Sequence, residues 1–254
     1  MAVPWFLTPK SRSRHRLKLV CLPYAGGAAA AYREWSDLLP DDVEVHAVQL
    51  PGRGWRLREE PLRDLRLMAE QVAGVVAALD GPIALFGHSM GSWLGLEVAR
   101  RLQELSRLPR VLVVSGRQAP ALGPKLPPMS HLDDAAFVET LQVRYGGIPA
   151  PILDDADLLR LLLPAIRADV EAMEVYSYGE WTPLSCPIVA VGGDSDPLVT
   201  ATDLEAWRNE TSEAFRTRMF RGGHFYLTDT ATGFFEFLAN VLSPAAASSN
   251  PGVR

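Results

Sequence analysis

Leu85-Phe86-Gly87-His88-Ser89-Met90-Gly91 closes an apolar run that begins at Ile83 and opens a helical pattern reaching from Ser92 to about Leu105. The pentapeptide has the form Gly-x-Ser-x-Gly, set between a strand and a helix. A serine on so sharp a turn sits in strained backbone geometry, and only residues without bulk at Gly87 and Gly91 let the two elements approach closely enough to hold it. Ser89 is therefore the candidate nucleophile, its hydroxyl standing above the end of the sheet. The Met90 N–H, at the helix N-terminus, points to where an oxyanion would form on an attacked carbonyl. Without such chemistry the same stretch would be a plain strand-to-helix turn with a capping serine.

Working outward, Leu17, Leu19, Val20, Cys21 and Leu22 form a continuous apolar run that suits a parallel strand covered on both faces. It stops at Pro23-Tyr24-Ala25-Gly26-Gly27, ahead of a helix expected from about Ala30 to Leu39. A glycine-rich turn at a strand's C-terminal end lets backbone N–H groups converge on an anion, which nominates Ala25 as a second oxyanion donor. The next strand, Val43 to Leu50, ends at Gln49-Leu50-Pro51-Gly52-Arg53-Gly54. Arg53, Arg56, Arg58, Arg63 and Arg66 crowd the segment that follows. Such a run reads first as a solvated face and second as a basic patch for an acidic partner. Leu65, Met68, Ala69, Val72, Val75 and Val76 then recur at helical spacing between Leu62 and Leu79. With a strand from Arg110 to Ser115, the alternation argues for a doubly wound, mostly parallel sheet.

The alternation breaks after Gly116. A Pro-rich stretch and helical segments around Asp133 to Val143, Asp155 to Leu163 and Ala165 to Tyr176 occupy the interval to Pro183, an insertion placed where a lid would be. The sheet resumes with Cys186 to Val191 and Gly192-Gly193-Asp194-Ser195-Asp196-Pro197. A carboxylate just past a strand's C-terminal end is where the orienting acid of a triad belongs. Asp196 is preferred over Asp194, which also suits a turn or cap. A last strand, Phe215 to Phe220, leads to Gly222-Gly223-His224-Phe225 and a closing helix from about Thr230 to Leu242. His224, freed by two glycines to approach the serine turn, is the candidate base; His88, beside the nucleophile, reads as structural with its ring turned away. The expected division is a flexible N-terminal arm over 1–14, a core over 15–116 and 184–243, a helical lid insertion over 117–183 and a disordered tail over 244–254.

Bulk properties narrow the function classes. The chain has 254 residues, 48% hydrophobic and 22% charged, enough for one domain with a large core. A net charge of -5 gives nucleic-acid binding no support. Cys21 and Cys186 lie in or beside apolar runs and read as reduced and buried, with no metal-ligand spacing. The basic residues after Leu7 deny the N-terminus a signal peptide's apolar core, and no apolar run approaches a membrane span. A cytoplasmic protein without membrane attachment, metal or redox cofactor is expected.

The chain order Ser89, Asp196, His224 is that of the α/β-hydrolase fold, in which the histidine takes the serine's proton and the acid fixes the histidine's tautomer. Pro23-Tyr24-Ala25-Gly26-Gly27, Gln49-Leu50-Pro51-Gly52-Arg53, the serine pentapeptide, Arg167-Ala168-Asp169, Gly193-Asp194-Ser195-Asp196-Pro197 and Gly222-Gly223-His224-Phe225 together resemble the type II thioesterases, stand-alone partners of polyketide synthases and nonribosomal peptide synthetases. The likeness runs from about Leu17 to Leu242. It implies hydrolysis of stalled or misprimed acyl groups from the phosphopantetheine arm of acyl or peptidyl carrier proteins, beneath a helical lid. By the same resemblance, Ser89, Asp196 and His224 form the triad and Ala25 and Met90 the oxyanion hole. Tyr24 departs from the pattern, since many members carry histidine there. A medium-chain fatty acyl thioesterase of a fatty acid synthase shares these motifs, and a non-catalytic carrier-binding module is the reading from outside the enzymes.

Overall fold

The computed structural model describes residues 4–243 and gathers the strands into one seven-stranded sheet. β1 (Phe6–Leu7), β2 (Leu17–Leu22), β3 (Val43–Val48), β4 (Ile83–His88), β5 (Leu112–Ser115), β6 (Ile188–Gly193) and β7 (Phe215–Phe220) lie in the order β1-β3-β2-β4-β5-β6-β7. Every neighbouring pair is parallel except β1 with β3. All residues of β2 through β6 are buried, as strands covered on both faces require, and the polar ones among them are partnered, Lys18 with Asp80 and Glu44 with His46.

The helices are α1 (Trp35–Leu38), α2 (Leu65–Ala77), α3 (Met90–Glu104), α4 (Asp134–Tyr145), α5 (Ala150–Leu153), α6 (Ala156–Glu174), α7 (Ala201–Glu205) and α8 (Phe234–Val241). On one face of the sheet Met68 and Val72 of α2 pack with Leu94 and Val98 of α3. On the other, Trp35 of α1 meets Phe86 of β4 with ring centroids 4.8 Å apart, and Phe234 and Leu238 of α8 join them. A third cluster, with Phe137, Leu141, Leu163, Ile166 and Val170, lies within the segment between β5 and β6. That segment carries α4, α5 and α6 with an apolar centre of its own, above the strand ends.

Three expectations change. The helix foreseen from Ala30 to Leu39 is a 3-10 turn, Ala29–Tyr32, followed by the short α1. The two helical segments foreseen around Ala165 are one continuous α6 with Pro164 inside it. Proline removes one N–H from the ladder, yet α6 is capped by Asp155, whose side chain accepts from the N–H groups of Asp157 and Leu158, and is held by its buried face. Pro164 itself is exposed, so its ring projects where it crowds nothing in the core.

The arm is the third change. Residues 4–14 are docked, because Phe6 and Leu7 pair with Val48 and Ala47 and so cover the otherwise open edge of β3. The Trp5 carbonyl accepts from Gln49 N–H at 2.8 Å, and Arg12 reaches the Ser36 carbonyl at 2.6 Å. The tail foreseen over 244–254 lies outside the described residues. Among the described residues no helix is long and apolar enough to cross a membrane.

Candidate active site

Ser89 sits at φ 54° and ψ −115°, a left-handed conformation that costs a non-glycine residue free energy and must be held by its surroundings. The neighbouring glycines explain how. A Cβ on Gly87 would stand 1.8 Å from the Gly91 carbonyl oxygen, and one on Gly91 would stand 2.4 Å from that of Leu22. Strand and helix therefore touch backbone to backbone. The Ser92 hydroxyl fixes the turn from below, meeting the Gly87 carbonyl at 3.0 Å and the Ser115 carbonyl at 2.9 Å.

His224 reaches the same place from the loop after β7. A Cβ on Gly193 would lie 2.2 Å from the Gly223 carbonyl oxygen, so only glycine lets the loops after β6 and β7 close on each other. His224 Nδ1 lies 2.7 Å from Asp196 Oδ2, and both side chains are buried. Donation to the carboxylate places the proton on Nδ1 and leaves Nε2 as the basic nitrogen. The other Asp196 oxygen accepts from Leu198 N–H at 3.0 Å. Asp194 is exposed and does something else: it accepts from Gly222 N–H at 3.1 Å and from the Ser195 hydroxyl at 2.9 Å, tying the histidine loop down. The Gly222 N–H holds its carboxyl below the usual range.

Ser89 and His224 line one cavity of about 330 Å³, whose remaining wall is mostly apolar, with Leu141, Ile152, Leu162 and Ile166 from the insertion. Among the described residues no group of three or more His, Cys, Asp or Glu could hold a metal ion. The site offers a strained serine, a carboxylate-anchored histidine and an apolar chamber.

The Thioesterase domain family model matches residues 17–242. The chain belongs to that family. This thioesterase is 39% identical over 240 residues to the gramicidin S biosynthesis protein GrsT of Aneurinibacillus migulanus, covering 94% of this chain and 93% of that one. It is 40% identical over 216 residues to thioesterase PikA5 of Streptomyces venezuelae, covering 84% and 76%. Among solved structures, the RedJ thioesterase from the prodiginine pathway of Streptomyces coelicolor superposes with a TM-score of 0.84 at 39% identity, covering 95% of this chain and 91% of RedJ. The fold is that of the α/β-hydrolases.

Ala25 lines the chamber beside Ser89, and its N–H has no partner among the described residues, while those around it are taken. Gly27 N–H bonds the Tyr24 carbonyl at 2.8 Å, and Gly26 N–H donates to Asp169 Oδ2 at 2.7 Å. Met90 opens α3 as its first helical residue, where the N–H has no carbonyl one turn back. Asp169, on the buried face of α6, also receives a two-pronged contact from the Arg53 guanidinium, with Nη2 to Oδ1 at 2.8 Å. Both side chains are sealed from solvent. Gln49 completes the cradle, accepting from Ala29 N–H at 3.0 Å and donating to the Arg53 carbonyl at 2.9 Å.

Two arginines of the supposed basic patch are thus interior. Arg53 serves Asp169, and Arg56 is buried with Glu59, the Gln49 carbonyl and the Trp5 ring, 3.8 Å from its guanidinium carbon. A charge run signals hydration only while its partners are unknown, and here the decisive carboxylate lies 116 residues away. His88 is fully buried, as a structural residue should be. Its ring does not turn away, however: its centroid lies 5.0 Å from that of His224, with Nδ1 on the Ser115 hydroxyl at 3.0 Å. Tyr24 packs edge-on against Phe225 at 5.1 Å.

Reasoning from the sequence missed Tyr145 and Arg117. Tyr145 packs on the His224 ring at 5.5 Å, and Arg117 lies two residues beyond β5. Nothing in the pattern of α4 distinguishes Tyr145 from the other residues of its partly buried face.

Proposed function

We propose that this thioesterase hydrolyses acyl groups from the phosphopantetheine arm of carrier proteins, clearing stalled or misprimed units in polyketide or nonribosomal peptide synthesis. The observation that carries the chemistry is the buried 2.7 Å contact between His224 Nδ1 and Asp196, opening on the cavity that Ser89 also lines. His224 Nε2 takes the Ser89 proton as Oγ attacks the thioester carbonyl. The N–H groups of Ala25 and Met90 hold the oxyanion, and the thiolate leaves with the proton returned by His224. Water activated at the same nitrogen then releases the acid from acyl-Ser89. Asp196 stabilises the imidazolium formed in each half. The insertion over 117–183 acts as the lid, its apolar underside forming the acyl chamber.

Two of the relatives named above, the gramicidin S biosynthesis protein GrsT and RedJ of the prodiginine pathway, come from natural-product pathways, which supports a carrier protein as the partner. The test follows loss of short acyl groups from a loaded carrier protein by intact-protein mass spectrometry, with the matching acyl-CoA as a free-thioester control. Wild type is expected to strip the carrier faster than the free thioester, and Ser89→Ala to lose about 10⁴-fold or more in kcat. Equal rates on carrier and free thioester would remove carrier recognition. An active Ser89→Ala would remove the triad.

A further inference from the structure

Two peptide planes meet at the Cα of Ala25, and each is held by one hydrogen bond. The Tyr24 carbonyl accepts from Gly27 N–H at 2.8 Å. In a trans peptide the carbonyl and the following N–H point in opposite directions, and among the described residues no peptide bond is cis. The Ala25 N–H is therefore turned away from Gly27 and out of the turn. The plane on the other side of Ala25 is held by Asp169, whose Oδ2 accepts from Gly26 N–H at 2.7 Å. Only φ and ψ of Ala25 relate the two planes, so fixing both fixes the direction of its free N–H.

The second holder is not part of the turn. Asp169 stands on α6 three residues after Ile166, on the same face, and both meet Gly26. A Cβ on Gly26 would lie 2.6 Å from Ile166 Cγ1, and its φ is +75°, so a position that favours glycine is pressed directly against α6. Asp169 is itself held. It is fully buried, and the Arg53 guanidinium grips both its oxygens, with Nη2 to Oδ1 at 2.8 Å. Nη1 also lies 3.5 Å from the Gly27 carbonyl oxygen, at the far end of the same turn. A planar guanidinium on both oxygens stops the carboxylate from rotating. Stability alone gives a buried ion pair little advantage over an apolar pair of the same volume. What an apolar pair could not supply here is the acceptor for Gly26 N–H.

We propose that Asp169 is a positioning residue for the reaction: by holding Gly26 N–H it aims the Ala25 N–H at the oxyanion, and Arg53 keeps Asp169 in place to do so. The inference rests on the reading of Ser89 as nucleophile and Ala25 as oxyanion donor. When Ser89 Oγ bonds the thioester carbonyl carbon, the carbonyl π pair moves onto oxygen and the serine proton passes to His224 Nε2. A donor aimed at that oxygen is worth about 10²–10³ in kcat. Because the contact is realised only in that state, it speeds the reaction without tightening substrate binding.

The test removes both charges together, so that neither is left buried alone. Arg53→Met/Asp169→Leu deprives Gly26 N–H of its acceptor, and Arg53→Met/Asp169→Asn returns one, an amide oxygen. On propionyl-CoA the leucine variant is expected to lose at least tenfold in kcat with KM within about twofold, and the asparagine variant to recover most of that loss. Two inhibitors separate aim from general damage. A trifluoromethyl ketone carried on CoA, which bonds Ser89 Oγ and becomes an oxyanion, should bind the leucine variant at least tenfold more weakly than wild type. S-propyl-CoA, which has no carbonyl to attack, should bind all three proteins alike. If thermal unfolding shows that the leucine variant does not fold, Arg53→Met/Asp169→Ala, which needs less room, is held to the same expectation. A folded variant without the acceptor that keeps wild-type kcat and ketone affinity overturns the positioning role. So does an equal loss in the asparagine variant, or an equal loss of S-propyl-CoA affinity. A wild type that the ketone leaves uninhibited, or an active Ser89→Ala, overturns the serine mechanism itself, and the inference with it.

Discussion

His88 uses its two ring nitrogens unequally: Nδ1 meets Ser115, while Nε2 is buried with no partner. Burial, with a smaller contribution from His224 beside it, holds the ring well below the ordinary histidine range and keeps it neutral. His46 is lowered too, first by burial and against the pull of Glu44. A histidine lowered in the folded state binds its proton first in the unfolded chain. Its stabilising contribution is present above the unfolded pKa of about 6.5 and is lost as pH falls below it. Urea unfolding measured from pH 7.5 to 5 should show stability falling with pH at up to about 1.4 kcal/mol per pH unit for each such histidine. The His88→Asn variant should lose one proton's worth of that slope; an undiminished slope would mean that His88 titrates normally. The serine turn was legible at this scale because close backbone contact leaves glycine no substitute, and chemistry of that kind is written in residue type. Arg117 and Tyr145 were not, since the rings they pack on are distant in the chain.

Helix α6 is the element whose sequence and structure diverge most instructively. Pro164 marks a break in the pattern, and the buried face on either side of it overrides the break. The same face carries one carboxylate, Asp169, whose purpose cannot be read from helical periodicity because it is answered by Arg53 and the Gly26 N–H from the core. Removing one member of a buried pair strands the other charge, at a cost of roughly 3–5 kcal/mol. Asp169→Ala is therefore expected to lower the urea midpoint strongly, and Arg53→Glu, which opposes two buried carboxylates, more strongly still. Either variant retaining wild-type stability would remove the buried pair from the account of this fold. For the same reason charge reversal at Arg53 or Arg56 cannot report on docking, whereas Arg58 is exposed and can. Strands β4, β5 and β6 were legible as largely apolar runs, and β2 and β3 as apolar stretches despite Lys18, Glu44 and His46 within them. β1 was not, because two residues carry no period.

At the scale of the molecule, the bond from Asp169 to the loop after β2 divides the insertion mechanically. α6 is a post nailed to the core in its C-terminal half, by an ion pair and a backbone N–H together. Among the described residues α4 and α5 make no ion pair with the core, which α4 meets through Tyr145 on the His224 ring. α4 ends at Gly146 in the left-handed conformation, and α5 follows as four residues with none buried. If the insertion is the lid proposed above, its opening is expected in 134–153, about the glycines at 146 and 147, while α6 stays in place. Amide hydrogen exchange should divide along the same line, fast over 134–153 and slow over 165–173. Equal rates in the two stretches would mean that the whole insertion lifts as one piece. In that proposed opening, door and doorpost are cut from a single length of chain, and what enters is expected to be decided at α4 rather than at the turn that carries Ala25.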